Sequence, residues 1–118
     1  MADVKESLNI AMSIDGALGV ALVDYDSGMA LGTQGGGLDL DIAAAGNTEV
    51  VRAKMRVMKD LGLSGNIEDI LITLETQYHL IRPMAGQTLF VYLVLDRARS
   101  NLAMARHKLT SLTKDLVV

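Results

Sequence analysis

Asp39 to Gly62 reads DLDIAAAGNTEVVRAKMRVMKDLG. At about 100° per residue, this stretch predicts one long helix with two apolar faces. Ile42, Gly46, Val50, Ala53, Val57 and Leu61 share one side, while Ala44, Thr48, Val51, Met55 and Met58 share roughly the opposite side. Arg52, Arg56 and Lys59 line one flank, with Lys54 on the other. A surface helix of a small monomer needs one apolar stripe. A second stripe implies that one face covers the protein's own core and the other is offered to something else. The side carrying Ala44, Thr48, Val51, Met55 and Met58 reads as the offered face. The small run Ala43-Ala44-Ala45-Gly46 would admit a second helix closely, methionines suit an adaptable contact, and Arg52 and Arg56 resemble a polar rim.

Upstream, Val4, Leu8, Ala11 and Met12 recur at helical spacing, so residues 3–13 read as a short amphipathic helix ended by Asp15-Gly16. The apolar run Ala17 to Tyr25 predicts a strand covered on both faces. Asp26-Ser27-Gly28 is turn chemistry, and Met29 to Thr33 returns as a hairpin partner. Gly35-Gly36-Gly37 breaks the pattern, and Asp39 or Asp41 can cap the long helix. Downstream, Gly62 closes that helix, and Ile67 to Thr76 predicts a third strand. Tyr78 to Met84 predicts a fourth, with Pro83 near its end. Leu89 to Leu95 is the most apolar strand and should be central. Ser100 or Asn101 can cap a last helix with the stripe Leu102, Ala105, Leu109, Leu112 and Leu116. His107, Lys108, Lys114 and Asp115 point away from that stripe.

This order, αββαβββα, predicts an α+β fold in one domain over residues 1–118, with one five-stranded antiparallel sheet. If the central last strand pairs with the first, the spatial order is 2-1-5-4-3. The third strand is then an edge with no Lys or Pro to blunt it. Ile70 and Ile72 of that edge join the helix residues as predicted dimer contacts.

Composition narrows the function classes. The chain of 118 residues is 50% hydrophobic, so it is not disordered. Its apolar surplus favours oligomerisation. It has no cysteine, which excludes disulfides and fits a reducing compartment. Net charge is -3, aromatics are 3% and Trp is absent. Nucleic-acid binding wants basic stripes and stacking rings, so no nucleic-acid partner is expected. No stretch approaches ~18 uninterrupted apolar residues, so no membrane span is expected. Met1-Ala2-Asp3-Val4-Lys5-Glu6 lacks the basic-then-apolar order of a signal peptide, so a cytoplasmic location is expected.

Catalytic readings fail one by one. Gly35-Gly36-Gly37 is followed by Leu38-Asp39, not by the Lys and hydroxyl residue of a phosphate loop, so it reads as a hinge. Asp39-Leu40-Asp41 has no third carboxylate nearby in sequence for a hard cation and reads as helix capping. His79 and His107 have no metal-ligand spacing. No G-x-S-x-G elbow exists. Glu68-Asp69 reads as a solvated strand start, not an acid–base pair. No enzyme activity, metal or cofactor is expected.

Three segments carry a family resemblance across nearly the whole chain. They are Gly19-Val20-Ala21-Leu22-Val23-Asp24 with the Ser27-Gly28 turn; Ile67 to Thr73 continued by Tyr78-His79-Leu80-Ile81-Arg82-Pro83; and Leu93-Val94-Leu95-Asp96 leading to Asn101-Leu102-Ala103-Met104-Ala105-Arg106. Their order and spacing resemble the Roadblock family, the dynein light-chain relatives that also occur as small standalone bacterial proteins. The resemblance implies a profilin-like sandwich with helices on both faces of the sheet. It implies a homodimer made by pairing the long second helices and joining edge strands. It also implies a small Ras-like GTPase as partner, whose nucleotide cycle is modulated or which is scaffolded, with no catalytic residue to carry over. Arg52, Arg56 and Lys59 would be available to that partner. The alternative is a small-ligand sensory domain, because profilin-like sheets resemble PAS and GAF domains.

Overall fold

Seven of the eight residues of Leu89–Asp96 are buried, which a strand achieves only with neighbours on both sides and layers on both faces. The computed structural model describes residues 1–118 and builds the rest around this strand, β5. Ahead of it run α1 (Val4–Met12), β1 (Ala17–Asp24), β2 (Met29–Gly35), α2 (Leu40–Asp60), β3 (Ile70–Thr73) and β4 (Gln77–Pro83). After it come a 3₁₀ turn (Arg97–Arg99) and α3 (Leu102–Asp115). The sheet is antiparallel throughout, in the order β2-β1-β5-β4-β3. Both the topology and the strand order agree with the sequence reading.

Period-2 alternation divides the core into two layers. Val20, Leu22, Leu80, Val91, Leu93 and Leu95 face α1 and α3, where Leu8, Ala11, Leu109 and Leu112 meet them. Ala21, Val23, Ile81, Phe90, Tyr92 and Val94 face α2, where Leu40, Ala44 and Val51 meet them. Each long helix starts on a side-chain cap. Asp39 accepts from the N–H groups of Asp41 (3.1 Å) and Ile42 (3.0 Å), and Asn101 accepts from Met104 N–H (3.0 Å). These caps satisfy donors that a helix start leaves free.

Each strand differs from the sequence reading at one end or more, by a single residue in β1, β4 and β5 and by more in β2 and β3. β2 runs two residues past Thr33, to Gly35. Gly35 has φ +94°, and a Cβ there would collide with the Leu18 carbonyl oxygen, so only glycine fits. β3 covers Ile70–Thr73 only, not Ile67 to Thr76. Arg106 grips Asp69 through two hydrogen bonds of 3.0 and 3.1 Å, and Arg82 donates to the Glu68 carbonyl (3.1 Å) and to Thr113 Oγ1 (3.1 Å). These contacts draw residues 68–69 toward α3. Asp69 is therefore paired, a correction to the reading of Glu68-Asp69 as a solvated strand start. Past Thr73, Leu74 N–H donates to the Gln77 carbonyl (2.9 Å) and closes the turn.

Two polar groups stand out. Asp24 accepts from Asp26 N–H at 2.9 Å within the β1–β2 turn, with the hydroxyls of Ser27 and of Thr88, the residue just before β5, close to its carboxylate. The bond from Asp26 foremost, with the nearby hydroxyls, holds its carboxyl below the usual 3.8. Ser7 is buried in α1, and its hydroxyl has no partner.

Ser7→Ala should raise stability by about 1 kcal/mol, because it removes an unmade hydrogen bond. A urea titration checks this, and a fall in stability would show that the hydroxyl is satisfied. Asp24→Ala should lower the urea midpoint at neutral pH. The folded-state value of Asp24 is depressed, so its contribution is complete above pH 3.8 and is lost as pH falls through the lowered value. The gap between wild type and variant should therefore close in acid, and a gap independent of pH would refute this role.

Candidate interaction surface

α2 has two apolar faces, but their roles are the reverse of the sequence reading. Leu40, Ala44, Thr48 and Val51 are buried against the protein's own sheet. Spacings of four, four and three residues make them one stripe. Small side chains serve close approach of helix to sheet here, not of helix to helix. The Leu40 side chain lies 3.4 Å from where a Cβ on Gly19 would sit, and Ala45 and Thr48 lie over Gly28. The Thr48 hydroxyl donates to the Ala44 carbonyl (2.7 Å), which satisfies it inside the helix. Ala44, Thr48 and Val51 therefore cannot meet a second subunit. Met55 is half-buried against the same core, and Met58 is half-buried beside it.

The opposite stripe is the one left open. Ile42, Val50, Val57 and Leu61 are 38 to 71% exposed, and no atom lies within 4 Å of a Cβ built on Gly46. Asn47 separates this stripe from the buried one on the flank nearer Tyr92 of β5, and its side chain donates to the Ala43 carbonyl (2.8 Å). The open stripe thus flanks the half of the sheet away from β2. There Ile70, Ile72 and His79 are half-exposed, although α2 packs mainly on β1 and β2. Beyond them lies the unpaired edge of β3, whose register with β4 is unbroken from Ile70↔Ile81 to Thr73↔Tyr78. The other free edge, β2, is interrupted by a bulge at Leu31, between the pairs Leu22↔Gly32 and Val23↔Ala30. Bulges deter edge pairing, so β3 is the edge suited to accept another strand.

A hydrogen-bonded series crosses this half of the sheet. His79 Nε2 lies 2.8 Å from Gln77 Oε1, and its Nδ1 lies 2.9 Å from the Tyr92 hydroxyl, with the two rings edge-on at 84°. Burial lowers the His79 pKa below 6.5 and raises that of Tyr92 above 10.0. Sequence reasoning missed this series because its members come from two strands, β4 and β5. Its only local signal is the i, i+2 spacing of Gln77 and His79 on one strand face. His107 lies exposed on α3.

Arg52, Arg56 and Lys59 are exposed on the other flank of α2, and none forms an ion pair. A groove of about 730 Å³ lies where the end of α2 overhangs the sheet, lined by Met55, Met58, Lys59, Leu63 and Met84 among others. Gly35 and Gly37 take positive φ ahead of α2, as a hinge allows. Asp39 is occupied in capping.

Val51→Glu should destabilise the fold by several kcal/mol, because it buries an unpaired carboxylate. At a protein concentration low enough to keep the wild type monomeric, Val57→Glu should change unfolding free energy by no more than about 0.5 kcal/mol. Urea unfolding of both variants checks the exchanged roles of the faces. Equal tolerance would restore the first assignment.

No protein-family model matches the chain, and no curated protein is significantly similar to it. Solved structures are. A Roadblock/LC7 domain from Streptomyces avermitilis superposes with TM-score 0.82 at 14% identity, over 96% of this chain and 93% of its own. MglB of Myxococcus xanthus gives 0.81 at 14% identity, over 94% and 91%. An MglB in a tetrameric arrangement gives 0.70 at 19% identity, over 94% and 88%. Sheet order, helix placement and near-complete mutual coverage agree, and the chain has the Roadblock/LC7 fold.

Proposed function

We propose that the protein is a non-catalytic homodimeric adaptor that binds a small Ras-like GTPase and modulates its nucleotide cycle or scaffolds a signalling complex. One observation carries the reading: the open stripe Ile42–Val50–Val57–Leu61 flanks the half of the sheet that ends in the unbulged edge β3. Fully burying an aliphatic side chain is worth about 1.5–3 kcal/mol, so covering four partly exposed ones supplies a substantial driving force. A second copy provides the same stripe and the same edge, which is the self-complementarity a two-fold contact requires. Ile70 and Ile72 sit on that edge, and the proposal keeps them as contacts. Ile42, Val50 and Val57 replace Ala44, Thr48 and Val51. The GTPase partner rests on the Roadblock resemblance and fold. Arg52, Arg56 and Lys59 lie on the flank that such a dimer leaves free, as cations without partners.

Sedimentation velocity should find the wild type dimeric and Val57→Glu monomeric, with both folded by circular dichroism. Arg52→Glu with Arg56→Glu should keep the dimer and lose the GTPase retained from native lysate, whose bound nucleotide is then analysed. A wild type that stays monomeric at high micromolar concentration would remove the dimer. A metabolite that raises the melting temperature, with no GTPase retained, would favour the sensory-domain alternative.

A further inference from the structure

We propose that the groove at the C-terminal end of α2 takes an extended, acidic peptide segment of a partner protein, with apolar side chains seated among Met55, Met58 and Ile67 and carboxylates on the row Arg52, Arg56 and Lys59. The inference rests on the partner-binding role proposed above for those three cations, and it names the chemistry they read.

Charge on α2 is segregated. Residues 52–59 hold four cations and no carboxylate, in a chain of net charge -3. Arg52, Arg56 and Lys59 follow one another at spacings of four and three, so they form one row about 10 Å long. The protein's ion pairs are Asp96–Arg99 and Asp69–Arg106, so no carboxylate lies within 4.0 Å of the row. Like charges at such spacings repel along a helix, and an acidic partner removes that repulsion.

The row borders the groove. Lys59 is the one charged residue in the lining, and no Asp or Glu is among the others. Met55, Met58 and Ile67 are half-buried in the walls, and Leu63 is exposed at them. Flexible thioethers let such walls adapt to an inserted side chain. The volume of about 730 Å³ is that of a binding cleft. The carbonyls of Met58 and Lys59 already accept from the N–H groups of Leu63 and Gly62, so the helix end offers little to a cation.

Two observations favour a peptide over a small molecule. Arg52 and Arg56 lie beyond the lining, so the row runs past the groove and suits a ligand longer than it. Gly65, Asn66 and Ile67 form one side of the groove, and no N–H or C=O of residues 64–67 bonds to another backbone group. Open backbone groups beside an apolar cleft match an extended peptide, whose main chain pairs while alternate side chains enter. About four extended residues cover the length of the row.

The test is fluorescence anisotropy of the full chain with three labelled peptide pools. One alternates Asp or Glu with Leu, Ile, Met or Phe. The second alternates Lys or Arg with the same apolar residues, and the third alternates Asp or Glu with Ser or Asn. The first pool should bind roughly tenfold tighter than either other, and the methyl resonances of Met55 and Met58 should move with it. Lys59→Glu should weaken that binding by roughly tenfold. Ala85→Glu should do the same, since Ala85 lines the groove from the exposed β4–β5 turn. Circular dichroism checks that both variants are folded. Equal binding of the third pool with unmoved methyls means surface charge alone and overturns the inference. Laurate that moves the methyls while no pool binds makes the groove a site for a small amphiphile and also overturns it. Capture of a GTPase from native lysate, run in parallel, separates the two proposals. Selective peptide binding with no GTPase retained keeps the groove and removes the GTPase. A GTPase retained with no selective peptide binding does the opposite.

Discussion

A single helix cannot cover one face of a five-stranded sheet, and much of this protein follows from that mismatch. Five strands at about 4.8 Å spacing span about 19 Å between outermost axes, whereas a helix with its side chains is about 10 Å wide. The other face has two helices, α1 and α3, which pack on each other and on the sheet. The α2 face has one. That helix lies close over β1 and β2 because Gly19, Gly28, Ala44 and Thr48 permit it. The strip over β3 and β4, with Ile70, Ile72 and His79, is left half-open.

The remaining features make sense as management of that open half. Tyr92, His79 and Gln77 give its floor a hydrogen-bonded polar seam, so the half-covered strip is not simply apolar. Arg82 and Arg106 fasten residues 68–69 to α3 and so fix where β3 begins. The β2 edge has a bulge, and the β3 edge has none. One edge is thereby discouraged from pairing and the other is held straight.

The elements were legible because their signals are local. Alternation and apolar runs marked the strands, and Asp39 and Asn101 marked two helix starts by cap chemistry. The limits of β3 were not legible, since Arg82 and Arg106 reach residues 68–69 from β4 and α3. The polar seam was hidden for the same reason, His79 and Tyr92 being 13 residues apart on different strands. The face of α2 was misread for a different reason. Both stripes are apolar, and small residues favour close packing whether the neighbour is a helix or a sheet.

The sequence by itself therefore determined that α2 has two apolar faces and that five strands form one antiparallel sheet, because periodicity and turn chemistry are properties of neighbouring residues. Only the tertiary structure decided which face of α2 is spent on the core. That choice depends on the glycines of β1 and its turn, which let Leu40 and Thr48 approach the sheet and leave Ile42, Val50 and Val57 outside.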